Sequence, residues 1–292
     1  MVTGPQCTML KTQTKNNLAN FDNLENCHLS IQISLDGFSY SIFDKDLVDV
    51  IQLHHYEFET RIKTPEELLT QVIVIFEQEP ILLKKFDSIN VSHKNNLSAI
   101  VPEELYDKDN HTDFLKYTVK LLEDDFIAVD NLTDNASKTV FIPFVNVNNY
   151  LLDKLGTFNY LHASSVLVSA LLKSFKHNLS RQFFVNVSKT SMDVVFIEEG
   201  KLQLYNNFLY HTKEDFLYYI LFTMEQLQLN PDEQPLVFLG AIDKDSPLYE
   251  LTYTYVRNVS LLTAQNFTLS DNFYLMNPHI KKHHYFELLN QF

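Results

Sequence analysis

The chain has 292 residues, with 23 Lys and Arg against 37 Asp and Glu and a formal net charge of −14. Nucleic-acid affinity rests on Lys and Arg neutralising phosphates. No basic cluster is longer than a pair such as Lys281-Lys282, so a general nucleic-acid binder is excluded. Hydrophobic residues make up 45 %, enough for a packed core, whereas Gly occurs only 5 times. That scarcity limits glycine-rich phosphate loops.

Residues 1–25 are polar and aperiodic, which predicts a mobile tail. Two unspaced cysteines, Cys7 and Cys27, point to a reducing compartment. No basic start leads into an apolar run. The stretches Val166 to Leu172 and Phe216 to Phe222 are about a third of a membrane span. A cytoplasmic location without membrane insertion is therefore expected.

The alternation begins at Leu29. Leu29, Ile31, Ile33 and Leu35 predict a half-buried strand, Asp36-Gly37 a turn, and Phe38, Tyr40 and Ile42 a second strand. A third strand is predicted over Leu47 to Leu53, completing a meander. Thr64, Pro65 and Glu67 form a helix start with a capping box. A strand over Phe86 to Val91 follows, and Pro102 predicts a further helix near Leu105-Tyr106. Two strands (Phe126 to Val129, Thr139 to Ile142), a helix ending at Leu155-Gly156 and a helix from Ser164 to Lys176 lead to the second half.

There the order returns. Phe183, Val185 and Val187 predict a strand. Met192, Val194 and Phe196 predict the next, and Glu199-Gly200 turns into Leu202 and Leu204. Thr212 caps a helix, Pro235 to Gly240 forms a buried strand, and Pro247 opens a helix. Leu29 and Gln182, Thr64 and Thr212, Phe86 and Pro235, and Pro102 and Pro247 are each about 150 residues apart, as a duplicated unit requires. The predicted division is a tail over 1–25, a first half over 26–156 and a second half over 157–292.

This order of elements is similar to that of the actin, sugar-kinase and chaperone ATPase superfamily. The sequence more closely resembles a bacterial family of unknown function with an actin-like fold. The resemblance rests on the stretch from Leu29 to Ile42, on Phe141-Ile142-Pro143, on Leu161-His162-Ala163-Ser164 and on the stretch from Phe238 to Ser246. It implies an α/β fold of two ribonuclease-H-like subdomains in an actin-like ATPase architecture, with a cleft between the halves. It implies no activity, because fold does not fix function.

In active members of that superfamily the first hairpin turn reads Asp-x-Gly-Thr, with backbone amides facing phosphate. Here it reads Asp36-Gly37-Phe38-Ser39, one residue short, and Phe38 is expected to crowd a phosphate. The second turn, Ser188-Lys189-Thr190-Ser191, has neither acid nor glycine. The adenosine loop keeps one glycine, Gly240. A surviving site for ATP with Mg would use Asp36, Gly37, Ser39, Lys189, Thr190 and Gly240. The simpler reading, preferred here, makes Asp36-Gly37 an ordinary hairpin turn and Gly240 a strand-to-helix corner. The expected function is then a non-enzymatic binding or scaffold protein with another protein as partner and no cofactor. The alternative is a divergent ATP-binding protein or weak ATPase.

A remoter alternative is a metal-dependent nuclease of ribonuclease-H type built on Asp36, with Asp130 or Asp193 as candidate partners. Such sites need several converging acids. His279 and His283 would share a face of a helix and could bind zinc, with His284 alongside. No acidic or Cys partner is read nearby at metal spacing, and an exposed C-terminal helix or tail is the expected setting. Glu123-Asp124-Asp125 reads as a solvated corner. The aromatics Tyr205, Phe208, Tyr210, Tyr218 and Tyr219 read as core at their spacing, with a contact patch as the alternative.

Overall fold

The computed structural model describes residues 9–15, 21, 23–60, 62–116, 125–132, 135–263, 273 and 277–292. Cys7, Glu123, Asp124 and the parts of the expected tail at 1–8, 16–20 and 22 lie outside the described residues.

Three strands start the first half: β2 (Cys27–Ser34), β3 (Gly37–Asp44) and β4 (Asp49–Phe58). Leu29, Ile31, Ile33, Phe38, Tyr40 and Ile42 are fully buried on one face of this meander, as their alternation demands. Helix α1 (Pro65–Gln78) covers that face with Leu68, Val72, Ile75 and Phe76. Its N-cap is Thr64, whose side chain accepts a hydrogen bond from the Glu67 amide. Strand β5 (Ser88–Lys94) then lies parallel to β2.

A small sheet follows, made of β6 (Ser98–Pro102), β7 (Ala128–Leu132) and β8 (Ser137–Phe141) in the order β6-β8-β7. Helix α2 (Val145–Leu155) packs beside α1. Strand β9 (Asn159–His162) closes the first sheet against β5, and α3 (Ala163–Ser174) leaves it.

The second half repeats the start. It runs β10 (Gln182–Val187), β11 (Ser191–Glu198), β12 (Lys201–Leu209), α4 (Lys213–Gln226), β13 (Leu236–Gly240), α5 (Pro247–Tyr255) and β14 (Val259–Leu261). Its sheet order, β12-β11-β10-β13-β14, matches β4-β3-β2-β5-β9 strand for strand. Both carry two antiparallel pairings and then two parallel ones. Thr212 caps α4 through a capping box with Asp215.

The halves exchange elements. Helix α3 follows the last strand of the first sheet but packs Leu167, Val168 and Leu171 against Phe184, Val195, Ile197 and Leu239 of the second. Conversely, Ile280, Leu288 and Leu289 follow the second sheet but pack against Phe43, Val50 and Leu53 of the first.

Three local expectations are corrected. Residues 9–15, expected in the tail, form β1 (Met9–Lys15), which pairs antiparallel with β4. Edge pairing uses backbone groups, so a polar sequence can do it. Lys11 also pairs with Glu79. Leu47 does not begin a strand, because Asp44 Oδ1 accepts from the Asp46 and Leu47 amides and turns the chain there. Pro102 does not open a helix. It ends β6 opposite Ser137, and two short 3-10 turns, Glu103–Leu105 and His111–Phe114, follow in place of a helix.

Several polar side chains are buried. Burial alone would raise the Glu79 carboxyl, but hydrogen bonds from His54, Lys11, Tyr56 and Tyr40 outweigh it and hold the group well below the carboxylate range. Burial lowers His28 and His93 to about 4 and His162 to about 3, from 6.5. The folded chain therefore binds fewer protons than the unfolded chain below about pH 6.5, and stability falls as pH drops toward the folded values. Asp130, raised by burial to about 6, and Glu287, also raised by burial, act the other way, against five imidazoles lowered by burial, since His55 and His283 shift in the same direction. Thermal midpoints measured across pH are expected to be flat above 6.5 and to fall on acidification. His162→Asn, which keeps a capping side chain for α3, is expected to flatten that fall. An unchanged slope in the variant would remove this account.

Candidate functional site

A cavity of about 550 Å³ lies between the two sheets. The six residues singled out from sequence, Asp36, Gly37, Ser39, Lys189, Thr190 and Gly240, all border it. Duplication explains the convergence. The β2–β3 turn and the β10–β11 turn hold equivalent places in their sheets, and the ends of β5 and β13 meet them from the parallel side.

The two turns touch. Thr190 Oγ1 donates to Asp36 Oδ2 at 3.0 Å. Lys189 Nζ reaches across to Glu57 Oε1 at 2.7 Å and donates to the Phe58 carbonyl at 3.0 Å. The turn amides face inward. Ser34 Oγ accepts from the Asp36 amide at 3.1 Å and from the Gly37 amide at 3.0 Å. The Ser188 amide donates to the Ser191 carbonyl at 2.8 Å and the Ala241 amide to the Val187 carbonyl at 2.7 Å.

Both glycines have packing reasons. A Cβ on Gly37 would lie 2.4 Å from the Tyr56 carbonyl oxygen, across the β3–β4 ladder. Gly240 has φ +82°, and its Cβ would lie 2.2 Å from the Val187 carbonyl oxygen. Ser39 Oγ lies 2.8 Å from His55 Nδ1 on the neighbouring strand.

The expected crowding by Phe38 does not occur. Alternation along β3 turns Phe38 to the opposite face, where it is fully buried against Tyr40, Tyr56 and Phe76. The aromatic ring on the cavity wall is that of Tyr285, from the C-terminal segment.

Sequence reasoning missed the polar network at the cavity floor. Lys94 Nζ lies 2.5 Å from Glu287 Oε2 and 3.9 Å from Asp193 Oδ2. Burial opposes the Lys94 charge, but Glu287 and Asp193 hold its pKa above the ordinary lysine value. Gln32 Nε2 donates to Glu287 at 2.8 Å, and Asn186 Nδ2 donates to Glu287 and Asp193 at 3.0 Å each. Tyr205 and Asn207 also donate to Asp193, each at 2.8 Å. Gln32 and Lys94 could have been found, since they alternate with buried positions and so share the face away from α1. Glu287 gave no signal, because its segment has no periodicity.

The acids proposed for a nuclease have separate partners. Asp130 accepts from the His162 amide at 2.8 Å and from Ser165 Oγ at 2.5 Å, while Asp193 is held as described. Among the described residues, the His, Cys, Asp and Glu side chains whose ligand atoms come close enough together to hold a metal are Asp243, His283 and His284. This corrects the histidine expectation. His283 is buried, an acid lies beside it, and His279 is outside the group.

Comparison with known proteins agrees with this architecture. A family model described as a protein of unknown function, DUF3822, matches residues 15–259. The chain belongs to the DUF3822 family. No curated protein matches it. A Bacteroides thetaiotaomicron protein with actin-like ATPase fold and unknown function superposes with TM-score 0.75 at 21 % identity, covering 84 % of this chain and 94 % of that one. A chain of the PilM–PilN type IV pilus biogenesis complex superposes with TM-score 0.69 at 9 % identity, covering 90 % and 97 %. The fold of this DUF3822 member is thus the actin-like ATPase fold. Among the described residues no helix is long and apolar enough to cross a membrane.

Two substitutions test the site's construction. Gly240→Ala is expected to destabilise the chain by about 3 kcal/mol, combining left-handed strain with a forced backbone shift. Lys94→Met leaves two buried carboxylates without their cation and is expected to cost about 3–5 kcal/mol. The double variant Lys94→Met/Glu287→Leu should recover part of that loss, because the two residues couple. Urea unfolding measures all three. Additive effects of Lys94 and Glu287 would contradict the network.

Proposed function

We propose that this DUF3822 member is a non-enzymatic binding or scaffold protein whose ancestral nucleotide site is eroded. The carrying observation is that the turn donors are already used. The Asp36 and Gly37 amides donate to Ser34, and the Ala241 amide donates to Val187. A phosphate needs such amides free and pointing at it. Charge supports the same reading. Lys94 and Lys189 on the cavity wall are each paired with a carboxylate, Glu287 and Glu57. A triphosphate would add several negative charges beside those acids and Asp36. Asp36, which would help hold a metal ion, accepts from Thr190.

Two observations support a protein partner. The PilM–PilN structure that this fold is similar to is an assembly of two proteins. The second half also exposes aromatic surface. Tyr218 and Phe222 stack on the outer face of α4 at 59 % and 41 % exposure, and Tyr253 and Tyr255 stand out from α5 at 60 % and 55 %. Apolar rings grouped on a surface favour contact with another protein. Cytoplasmic residence accords with this reading.

A second reading, a divergent ATP-binding protein, has one observation in its favour. All six residues derived from the ATPase motifs border a single cavity. Thermal unfolding with millimolar ATP and Mg²⁺ separates the two. A ligand at a hundred times its Kd adds about 2.7 kcal/mol to the native state. No shift in midpoint and no phosphate release are expected. A clear rise in midpoint that is abolished by Asp36→Ala would replace the first reading with the second.

A further inference from the structure

We propose that Asp243, His283 and His284 form a binding site for a divalent transition-metal ion of the zinc class. The three residues come from distant parts of the chain. Asp243 lies three residues after β13, at the rim of the second sheet. His283 and His284 lie in the 3-10 turn Lys282–Tyr285, at the start of the C-terminal segment that packs on the first sheet.

The donor set is right for such an ion. Two imidazoles and a carboxylate are common ligands of zinc and its neighbours. The separations are also right. His284 Nε2 is 3.3 Å and His283 Nε2 is 3.7 Å from Asp243 Oδ1, and all three ligand atoms lie within 4.8 Å of one another. Ligands placed tetrahedrally at about 2.0–2.1 Å from a metal are themselves roughly 3.4 Å apart. The Asp243 distances are close to that value, and a small swing of one ring completes the set.

The surroundings fit. Lys281 Nζ is 2.6 Å from Asp243 Oδ2, the other carboxylate oxygen. That contact leaves Oδ1 turned to the imidazoles and fixes the carboxylate, as an outer-sphere partner does. The rings stand edge to face, with centroids 4.6 Å apart. One interaction must yield. His283 Nε2 lies 2.8 Å from the Ile242 carbonyl, and coordination through that nitrogen replaces this contact. Three protein ligands leave a fourth position for water or another ligand. His284 also lines the central cavity, so the ion would sit at its rim.

The consequence is mechanical. The turn bearing both histidines runs directly into Glu287, which reaches Gln32, Lys94 and Asn186. An ion held by Asp243 would fasten the C-terminal segment to the second half while Leu288 and Leu289 fasten it to the first.

The test uses tag-free full-length chain treated with chelator and titrated with Co²⁺ alone. Expected are ligand-field absorption bands saturating at one equivalent, their loss on adding Zn²⁺, and a rise in thermal midpoint with Zn²⁺. His284→Ala and the conservative Asp243→Asn should each weaken binding at least about tenfold. His279→Ala, an exposed histidine outside the group, should not change it. An absence of bands would overturn the proposal. So would equal affinity in Asp243→Asn and His284→Ala, or an equal loss in His279→Ala. The last two outcomes would mean adventitious binding elsewhere on the chain. These readouts are independent of the ATP experiment.

Discussion

The ammonium of Lys94 sets the terms for the centre of this molecule. It ends β5 on the face turned away from α1, where the sheets approach each other. A charge taken from water into such a place is unfavourable unless it is paired and its neighbours are hydrogen-bonded. One carboxylate from each direction answers it: Asp193 from the second sheet and Glu287 from the C-terminal segment. Gln32, Asn186, Tyr205 and Asn207 then satisfy the remaining carboxylate oxygens. Glu287 joins Gln32 and Lys94 of the first sheet to Asn186 of the second, whereas Asp193 also bonds to Asn186, Tyr205 and Asn207 within its own sheet. A polar cluster of this kind rewards one arrangement of the halves and penalises any other.

That constraint also explains the chemistry of the cavity. An active nucleotide cleft keeps cations and amides free to meet an incoming anion. Here the same groups are turned to other protein groups. Thr190 is donated to Asp36, Lys189 to Glu57 and Phe58, and Lys94 to Glu287. The cleft has two hairpin corners, and its charged groups bind the halves to each other.

The parts of this plan with local causes were legible in the sequence. The runs of Leu29, Ile31 and Ile33 and of Phe183, Val185 and Val187 alternate because one face of each meander is buried. Thr64 and Thr212 each announce a helix because a hydroxyl there satisfies an otherwise unpaired amide. The six cavity residues were found through the resemblance to the ATPase loop motifs, which sit in or beside the β2–β3 and β10–β11 turns and at the end of β13. The rest is non-local. Strand β1 binds through its backbone, so its polar side chains carry no pattern. The misreading of Phe38 came from treating a motif position as if its side chain pointed along the turn, when the pleat sends it to the core. Glu287 and Asp243 act only through partners far away in sequence, so no window of residues contains the interaction.

The two halves differ on the faces they turn toward their exchanged elements. Under α3 the second sheet offers Phe184, Val195, Ile197 and Leu239, an apolar seat with little angular preference. Under the C-terminal segment the first sheet offers Ser30, Gln32, Ser41, Asn90 and Ser92 beside a smaller apolar group at Phe43, Val50 and Leu53. Apolar burial is non-directional and scales with area, whereas hydrogen bonds weaken steeply with misalignment. Helix α3 can therefore hold its place by packing alone. The C-terminal segment depends on geometry as well: Gln291 Nε2 on Ser92 Oγ at 2.6 Å, Asn90 on the Gln291 carbonyl, and Phe292 stacked on Phe43 at 4.2 Å. These contacts fix the register of the residues that follow Glu287, the carboxylate paired with Lys94. The end of the chain and the middle of the cleft form one cooperative unit.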